Sequence, residues 1–558
     1  MKHSLFSPLT VIILLTSVYL HAQPYGDYTL YCPQNSSKGY LLDLSGNYYH
    51  TWTFASNAKT GYSSYLLPGR ILLRTVARSG NYFTGGPVCG QVQKVDWDGN
   101  VIWNYVYSTQ EYCTHHDICP MPNGNVLLIA YESKTPAQVT QAGSSISITM
   151  WPDKIVEIEP VGTSGGNVVW EWHSWDHLCQ NVNPAKDNYV TSIVQYPELL
   201  NINYLTSKDW QHVNGIDYNA ELDQITFSSH NFNEIYVIDH STTTAEAAGH
   251  TGGNSGKGGD ILYRWGNPSA YQASGTTIFN VVHDAHWVPS DCPHAGYLAG
   301  FNNKGGTGNK SCVDLIIPPL TGYTYNIVPG SAFAPPTYAW RHTYSGNPTN
   351  NEGNSQQLPN GNTLICISQS RYIYEIDSNQ NVVWSKTVST SASQAFRYTA
   401  CYVNGVATPV ISQSGHMLIS SSATGNQWYL NGDSIPGATA QQYYPTENGS
   451  YQVRVNDGNG CYSVLSDPYD YSTVGINETE GKALMVYPNP TNGRVSWSGS
   501  FLDQGHFKVT LLNVTGSVVY QDSDTRSADL AAHPEGLYYL KITTAPGGVY
   551  TRKIVLTK

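Results

Sequence analysis

Between residues 26 and 400, short runs of alternating apolar and polar residues recur, each closed by a tryptophan. VDWDGNVIW (95–103), GGNVVW (165–170) and IDSNQNVVW (376–384) are the clearest copies, and Trp52, Trp265 and Trp340 close looser ones. Such alternation predicts half-buried strands. A second pattern falls between them: a hairpin turning on Pro-Asn-Gly-Asn, as in MPNGNVLLIA (121–130) and LPNGNTLICIS (358–368), with LLPGRILL (66–73) a weaker version. Asn-Gly supplies the left-handed backbone that a tight hairpin needs. Six tryptophan-ended strands alternating with return hairpins predict six four-stranded units, the pattern of a β-propeller. A pair of stacked sandwiches is the alternative. The copy after Trp384 lacks a clean hairpin and is expected to close the ring by pairing with strands around Tyr28–Tyr31 or Tyr40–Leu44.

The stretch Asp209–Asp239 holds one of these hairpins. Val213, Ile216 and Tyr218 lead into a polar turn at Asn219–Asp223, and Ile225 and Phe227 lead out. His212 and His230 lie nine residues either side of the middle of that turn. Antiparallel pairing therefore sets the two imidazoles across from each other at the open end. Inserts at 133–151 and 173–208 are predicted as long loops over one rim, where function concentrates. Past about Thr408 the composition changes. QWYLNGDSIPGATAQQYYPTENGSYQVRVNDGNGC (427–461) alternates through short strands and resembles an immunoglobulin-like module, assigned to 408–474. From Val486-Tyr487-Pro488-Asn489-Pro490 through NGRVSW, EGLYYLKI and RKIVLTK, residues 482–558 resemble the C-terminal sorting domain of type IX secretion. That resemblance implies export across the outer membrane, with the type IX machinery as partner and release or attachment at the cell surface. The predicted fold class is all-β: a six-bladed β-propeller over 23–407 followed by two small β-sandwich domains.

A net charge of −12 argues against a nucleic-acid or anionic-membrane partner. Lys2 and His3 precede an apolar run from Leu5 to Leu20, and a cleavage after Ala22 fits a secretory signal peptide over 1–22. No later stretch is long enough to span a bilayer. Ten cysteines in an exported chain predict some disulfides, with a small bridged loop between Cys113 and Cys119. Cys461 has no partner within its own module, which argues against a bridge there.

Histidines fall at one phase of the repeat. His116 precedes Pro122 by six residues, His283 precedes Pro289 by six, and His212 precedes Tyr218, the last residue before its turn, by six. Tyr62 and Gly353 occupy the matching places before Pro68 and Pro359. If this phase belongs to the innermost strand of each blade, His116, His212 and His283 all face the central axis, joined by His230 from a neighbouring strand. His115, His173, His177 and His286 have no such support and are read as structural.

Neutral imidazole is a nucleophile, a general base and a metal ligand. Three functions fit: group transfer from an anionic ester, a histidine-ligated metal enzyme, and a non-catalytic cell-surface binding propeller. DWQHVN (209–214), VVHDAHW (281–287) and HHDICPMPNGN (115–125), taken together, resemble the bacterial arylsulfate sulfotransferases. Members of that family are six-bladed propellers that pass a sulfuryl group from a phenolic sulfate to a phenol without a nucleotide donor. The resemblance implies an aryl sulfate donor, a phenolic acceptor and no cofactor. It implies that His283 carries the group as a sulfohistidine, that His116 and His212 stabilise it or shuttle the phenolic proton, and that Asn214 contacts substrate. The family has arginine where this chain has His230, which removes a permanent charge beside the moving anion. Arg74, Arg264, Lys304 and Arg397 are the candidate replacements. The family's extra N-terminal sandwich is not expected, since strands begin almost directly after the signal.

Overall fold

The computed structural model describes residues 23–328, 330–458, 461–472, 484–503, 505–545 and 547–558; the expected signal peptide lies outside the described residues. Of these, the residues up to Ala407 with Gly458, Cys461 and Tyr462 form one compact unit, and Thr408–Asp457 with the described residues from Ser463 onward form a second.

The first unit is a six-bladed propeller of four-stranded antiparallel sheets. Blade 2 runs from the innermost strand Lys59–Leu67 outward to Val101–Val106, and blade 3 from Tyr112–Pro120 to Gly165–His173. Blade 4 runs from Val213–Asn219 to Tyr263–Trp265, blade 5 from Val282–Trp287 to Trp340–Thr343, and blade 6 from Asn354–Gln357 to Val382–Thr387. Blade 1 joins both ends of the propeller: Ala392–Tyr398 is its innermost strand and pairs with Tyr28–Pro33. The register sets Tyr28 against Tyr398 and Tyr31 against Ala395, the first of the two closures expected from sequence. Each innermost strand lies against the next, and Ala392–Tyr398 touches both Asn354–Gln357 and Lys59–Leu67. The ring is closed.

The repeated tryptophans stand on the six outermost strands, and their role is visible in the indole N–H. Trp52 donates to the Asp96 carbonyl at 3.0 Å, Trp103 to Gly165 at 2.8 Å, Trp265 to Pro335 at 2.7 Å and Trp384 to Leu44 at 2.7 Å. Trp170 donates to the Thr242 hydroxyl at 3.2 Å. Each bond reaches the following blade, and Trp384 reaches from blade 6 back to blade 1. A buried indole has one donor to satisfy, and here it ties neighbouring sheets together.

The inserts at 133–151 and 173–208 are packed structure, not free loops. A short helix, Pro136–Gln141, is capped by Thr135 and Gln138 in a reciprocal capping box. Leu178–Cys179 pairs in parallel with Leu200–Asn201. Val139, Met150, Leu178, Ile193 and Leu200 share one apolar cluster with Trp210, Ile216 and Phe227. Trp151 forms a parallel bridge with Asp209, which fixes the start of the His212 hairpin.

Two disulfide expectations are corrected. Cys113 and Cys119 are unpaired buried thiols at the two ends of one extended strand, too far apart in the strand direction for a bridge. Cys461 is bonded to Cys401, a partner outside its sequence module but within the same compact unit.

In the second unit, Ile411, Leu418, Trp428, Tyr451, Val453 and Tyr471 form one core between a three-stranded and a four-stranded sheet. Val495, Trp497, Val509, Leu511, Leu540 and Ile542 form another between a second such pair. Both are small β-sandwiches. Among the described residues no helix is long and apolar enough to cross a membrane.

Candidate active site

The innermost strands of blades 2 to 5 break register at one place each: between Thr60 and Ser64, Thr114 and Ile118, Val213 and Gly215, and His283 and His286. These are β-bulges, which re-aim side chains out of the regular alternation. His116 (φ 48°), His212 (φ 55°) and Asp284 (φ 57°) hold left-handed backbone at or beside them. In blade 6 the matching position is Gly353, with φ 109°; a Cβ there would meet Phe301 at 2.6 Å. The phase seen in the sequence is thus the phase of a repeated bulge.

The bulges bring the histidines into one row. Ring centroids are 5.0 Å apart for His115 and His116, 4.6 Å for His116 and His212, 4.9 Å for His212 and His230, and 5.7 Å for His230 and His283. His230 N–H donates to the His212 carbonyl at 3.1 Å, the open-end pairing expected of the hairpin. Tyr62, at the same phase in blade 2, stands 5.2 Å from His116 and ends the row on that side. Its hydroxyl is buried and has no hydrogen-bond partner among the described residues.

Partners fix several ring protons. Asn303 Nδ2 donates to the Thr349 and Glu352 carbonyls at 3.2 and 2.7 Å, so its Oδ1 must be the atom facing His283 Nδ1 at 2.7 Å. A carbonyl oxygen only accepts, hence His283 carries its proton on Nδ1. Nε2 is left with the lone pair, which accepts Glu352 N–H at 3.2 Å. His212 Nδ1 donates to Asp209 at 2.6 Å, and Asp209 also accepts from the Tyr131 hydroxyl at 3.2 Å. His116 Nδ1 meets His115 Nδ1 at 2.7 Å, and His115 Nε2 meets Asp153 Oδ1 at 2.8 Å. Asp153, His115 and His116 therefore form a continuous hydrogen-bonded chain from blade 3 into the row.

Burial pushes His116 and His283 well below the ordinary imidazole range; the other histidines nearby push in the same direction. His230 is also lowered, by burial and by His212, against the opposing bonds to Asn231 and Asn351. The direction of these shifts favours the neutral rings at pH 7. For Asp209, burial raises the carboxyl, but the bonds from His212 and Tyr131 and the nearby His212 and His115 outweigh it and hold it low. Burial and the charge of Asp209 push Asp153 the other way, well above the usual carboxylate range.

The structure thus brings His116, His212, His230 and His283 together. Asn214 lies beside them fully buried: its Oδ1 accepts from Ser228 at 2.6 Å and its Nδ2 donates to the Val282 carbonyl at 2.8 Å. Its amide joins the strand after His212 to the strand that carries His283. Three candidate cations are engaged elsewhere. Arg264 is paired with Glu234, Arg397 with Glu375, and Arg74 is bonded to Gln93 and stacked over Phe54. Lys304, half-buried next to Asn303, is the fourth. Sequence reading missed His115, Asp153, Asp209 and Asn303. The doublet His115-His116 and the acid opening DWQHVN were signals for two of them; Asp153 and Asn303 carried none. His173, bonded to Glu132, and His286, bonded to Gln357, stand outside the row.

The family model for arylsulfotransferase matches residues 30–314, just over half of the chain, and that for a secretion system C-terminal sorting domain matches 485–557. The sorting domain directs export to the cell surface. No curated protein matches the chain. Among solved structures, a protein of unknown function from Bacteroides caccae is similar over 66% of this chain and 98% of its own, at 11% identity and TM-score 0.38. A periplasmic gluconolactonase from Pseudomonas aeruginosa is similar over 80% of this chain and 96% of its own, at 9% identity and TM-score 0.32.

Proposed function

Because the chain belongs to the arylsulfotransferase family, we propose that it is an exported enzyme that moves a sulfuryl group from a phenolic sulfate ester to a phenol, without a nucleotide donor, by way of a sulfohistidine on His283. The observation that carries this reading is the tautomer of His283. Asn303 keeps the ring proton on Nδ1, so Nε2 holds an electron pair in a buried site rich in further imidazoles.

In the first half-reaction Nε2 attacks sulfur and the bond from sulfur to the phenolic oxygen breaks. That oxygen leaves with the bonding pair and takes the extra proton of a doubly protonated His212, or a proton of His116 that the Asp153–His115 chain replaces. In the second, an acceptor phenol gives its proton back to the same histidine while its oxygen attacks sulfur. The N–S bond breaks and its pair returns to Nε2. Atoms and protons balance over the cycle. Asp209 stabilises the charge when His212 holds the extra proton, and the Asp153–His115 chain lets His116 exchange one. The Glu352 N–H must leave Nε2 before attack and then stands beside the sulfuryl oxygens as a donor. Asn214 is a positioning residue that keeps the His212 and His283 strands in register.

The metal-enzyme alternative draws less support. Among the described residues, the group whose ligand atoms converge closely is found elsewhere.

The test is to mix the full chain with a chromogenic aryl sulfate without acceptor and map the modified peptide by mass spectrometry at alkaline pH. The sulfuryl mass is expected on His283 and is expected to vanish when a phenol is added. A label on another residue, or phenol release as fast from His283→Ala as from the parent, would remove the proposal.

A further inference from the structure

The segment HTGGNSGKGGD (250–260) is rich in glycine and wraps around a buried histidine, His177, from the 173–208 insert. His177 Nε2 lies 2.9 Å from the Ala247 carbonyl oxygen. That oxygen can only accept, so Nε2 carries a proton. The other ring nitrogen, Nδ1, points at Asp260 Oδ1 at 3.0 Å. In a neutral ring with Nε2 protonated, Nδ1 is an acceptor, and it faces a second acceptor. A second ring proton satisfies this pair, and so does a cation bound to both atoms. His250 adds another nitrogen to the same point, its Nδ1 lying 2.7 Å from the same Asp260 oxygen.

We propose that His177, His250 and Asp260 bind a divalent transition metal ion of the zinc class, which pins the glycine-rich segment to the insert. Their ligand atoms all lie within 4.8 Å of one another. Tetrahedral zinc with bonds of roughly 2.0–2.2 Å sets neighbouring ligand atoms roughly 3.3 Å apart. The spacing here needs small side-chain shifts only. His177 also has the support that a metal-bound histidine requires, because its second nitrogen donates to a backbone carbonyl and is thereby held in one tautomer. The ring stacks on Trp172 at 5.6 Å, and Trp172 in turn donates to the Gly259 carbonyl at 2.7 Å. Gly259 has no room for a side chain: a Cβ would stand 1.9 Å from the Ala247 oxygen and 2.6 Å from His177 Nε2. The segment is thus shaped to close on this ring. Glu198 and Lys257 line the cleft that His250 and Asp260 also line, and water completes the ligand set. His250 is 61% exposed, which gives the ion a way in.

The experiment uses the full untagged chain, incubated with zinc chloride, dialysed and analysed for metal by plasma mass spectrometry. One equivalent is expected in the parent and in His283→Ala, and well under one-tenth of that in His250→Ala. Cobalt loading should give tetrahedral visible absorption that Asp260→Asn loses. His250 is exposed, so its replacement is compatible with folding, and retained circular dichroism checks this. No stoichiometric zinc in the parent, undiminished zinc in His250→Ala, or zinc lost with His283→Ala would each overturn the proposal. None of these readouts depends on sulfuryl transfer.

Discussion

Asn303 holds His283 in a single tautomer, its Oδ1 2.7 Å from Nδ1 and its amide nitrogen spent on two backbone carbonyls. Replacing Asn303 with aspartate keeps an acceptor on Nδ1 but adds a charge that favours the imidazolium. His283 must be neutral to attack, so the acid limb of the kcat/KM profile should move to higher pH. Asn303→Ala should instead lower kcat/KM by about two orders of magnitude at every pH, because the ring is no longer oriented. An unmoved acid limb in Asn303→Asp would mean that another group sets the limb.

His230, where the family resemblance implies an arginine, is held neutral by burial and by His212. Its Nε2 faces outward to Asn351 at 3.5 Å, an exposed contact that leaves room for a longer side chain. His230→Arg adds a permanent charge next to His283 and should raise kcat/KM for aryl sulfates, by up to about 3 kcal/mol of barrier. Steady-state kinetics with a chromogenic donor measures it. If the variant is slower, the natural donor is one that His230 suits and arginine does not.

The propeller and the histidine row were legible because both are periodic. Tryptophan-ended strands marked the outer edges of the blades, and one register offset marked a bulge that recurs on the innermost strands. The partners of the row were not legible. Asp153 reaches His115 from the next-but-one strand of blade 3 after a long insert, and Asn303 reaches His283 across a bulged pairing. Such contacts depend on how inserts pack and how bulges turn, and no period in the sequence encodes either. The Cys401–Cys461 bridge was hidden for a similar reason: its partners are 60 residues apart and belong to different sequence modules.

Tyr62 offers a separation of stability from function. Its hydroxyl is buried without a partner beside His116, which costs the fold on the order of 1–3 kcal/mol. Tyr62→Phe should raise the denaturation midpoint. If the hydroxyl serves the phenolic oxygen of donor or acceptor, the same change should reduce kcat/KM by about tenfold or more. Opposite signs in the melting curve and the kinetics identify a group kept for substrate. A more stable variant with full activity would show that the hydroxyl has no such use.

Asp117, next to His116 on the same strand, makes a prediction about pH. Burial lifts its carboxyl to about 7 from 3.8, despite bonds from Tyr65, the Ile118 N–H and Gln394. Below the unfolded value both states are protonated and the residue has no effect on stability. As pH rises from there to the folded value the unfolded chain releases its proton first, so stability is lost across that window. Above about pH 7 the loss is constant, on the order of 4 kcal/mol. Asp117→Asn removes this dependence. The new amide can be accommodated if Gln394 turns over, because its Oε1 is buried without a partner and can then accept from Asn. The stability advantage of the variant should therefore be small near about pH 4, grow as pH rises, and level off above about pH 7. Urea denaturation across that range measures it, and an advantage that does not vary with pH would show that Asp117 stays charged in the folded protein.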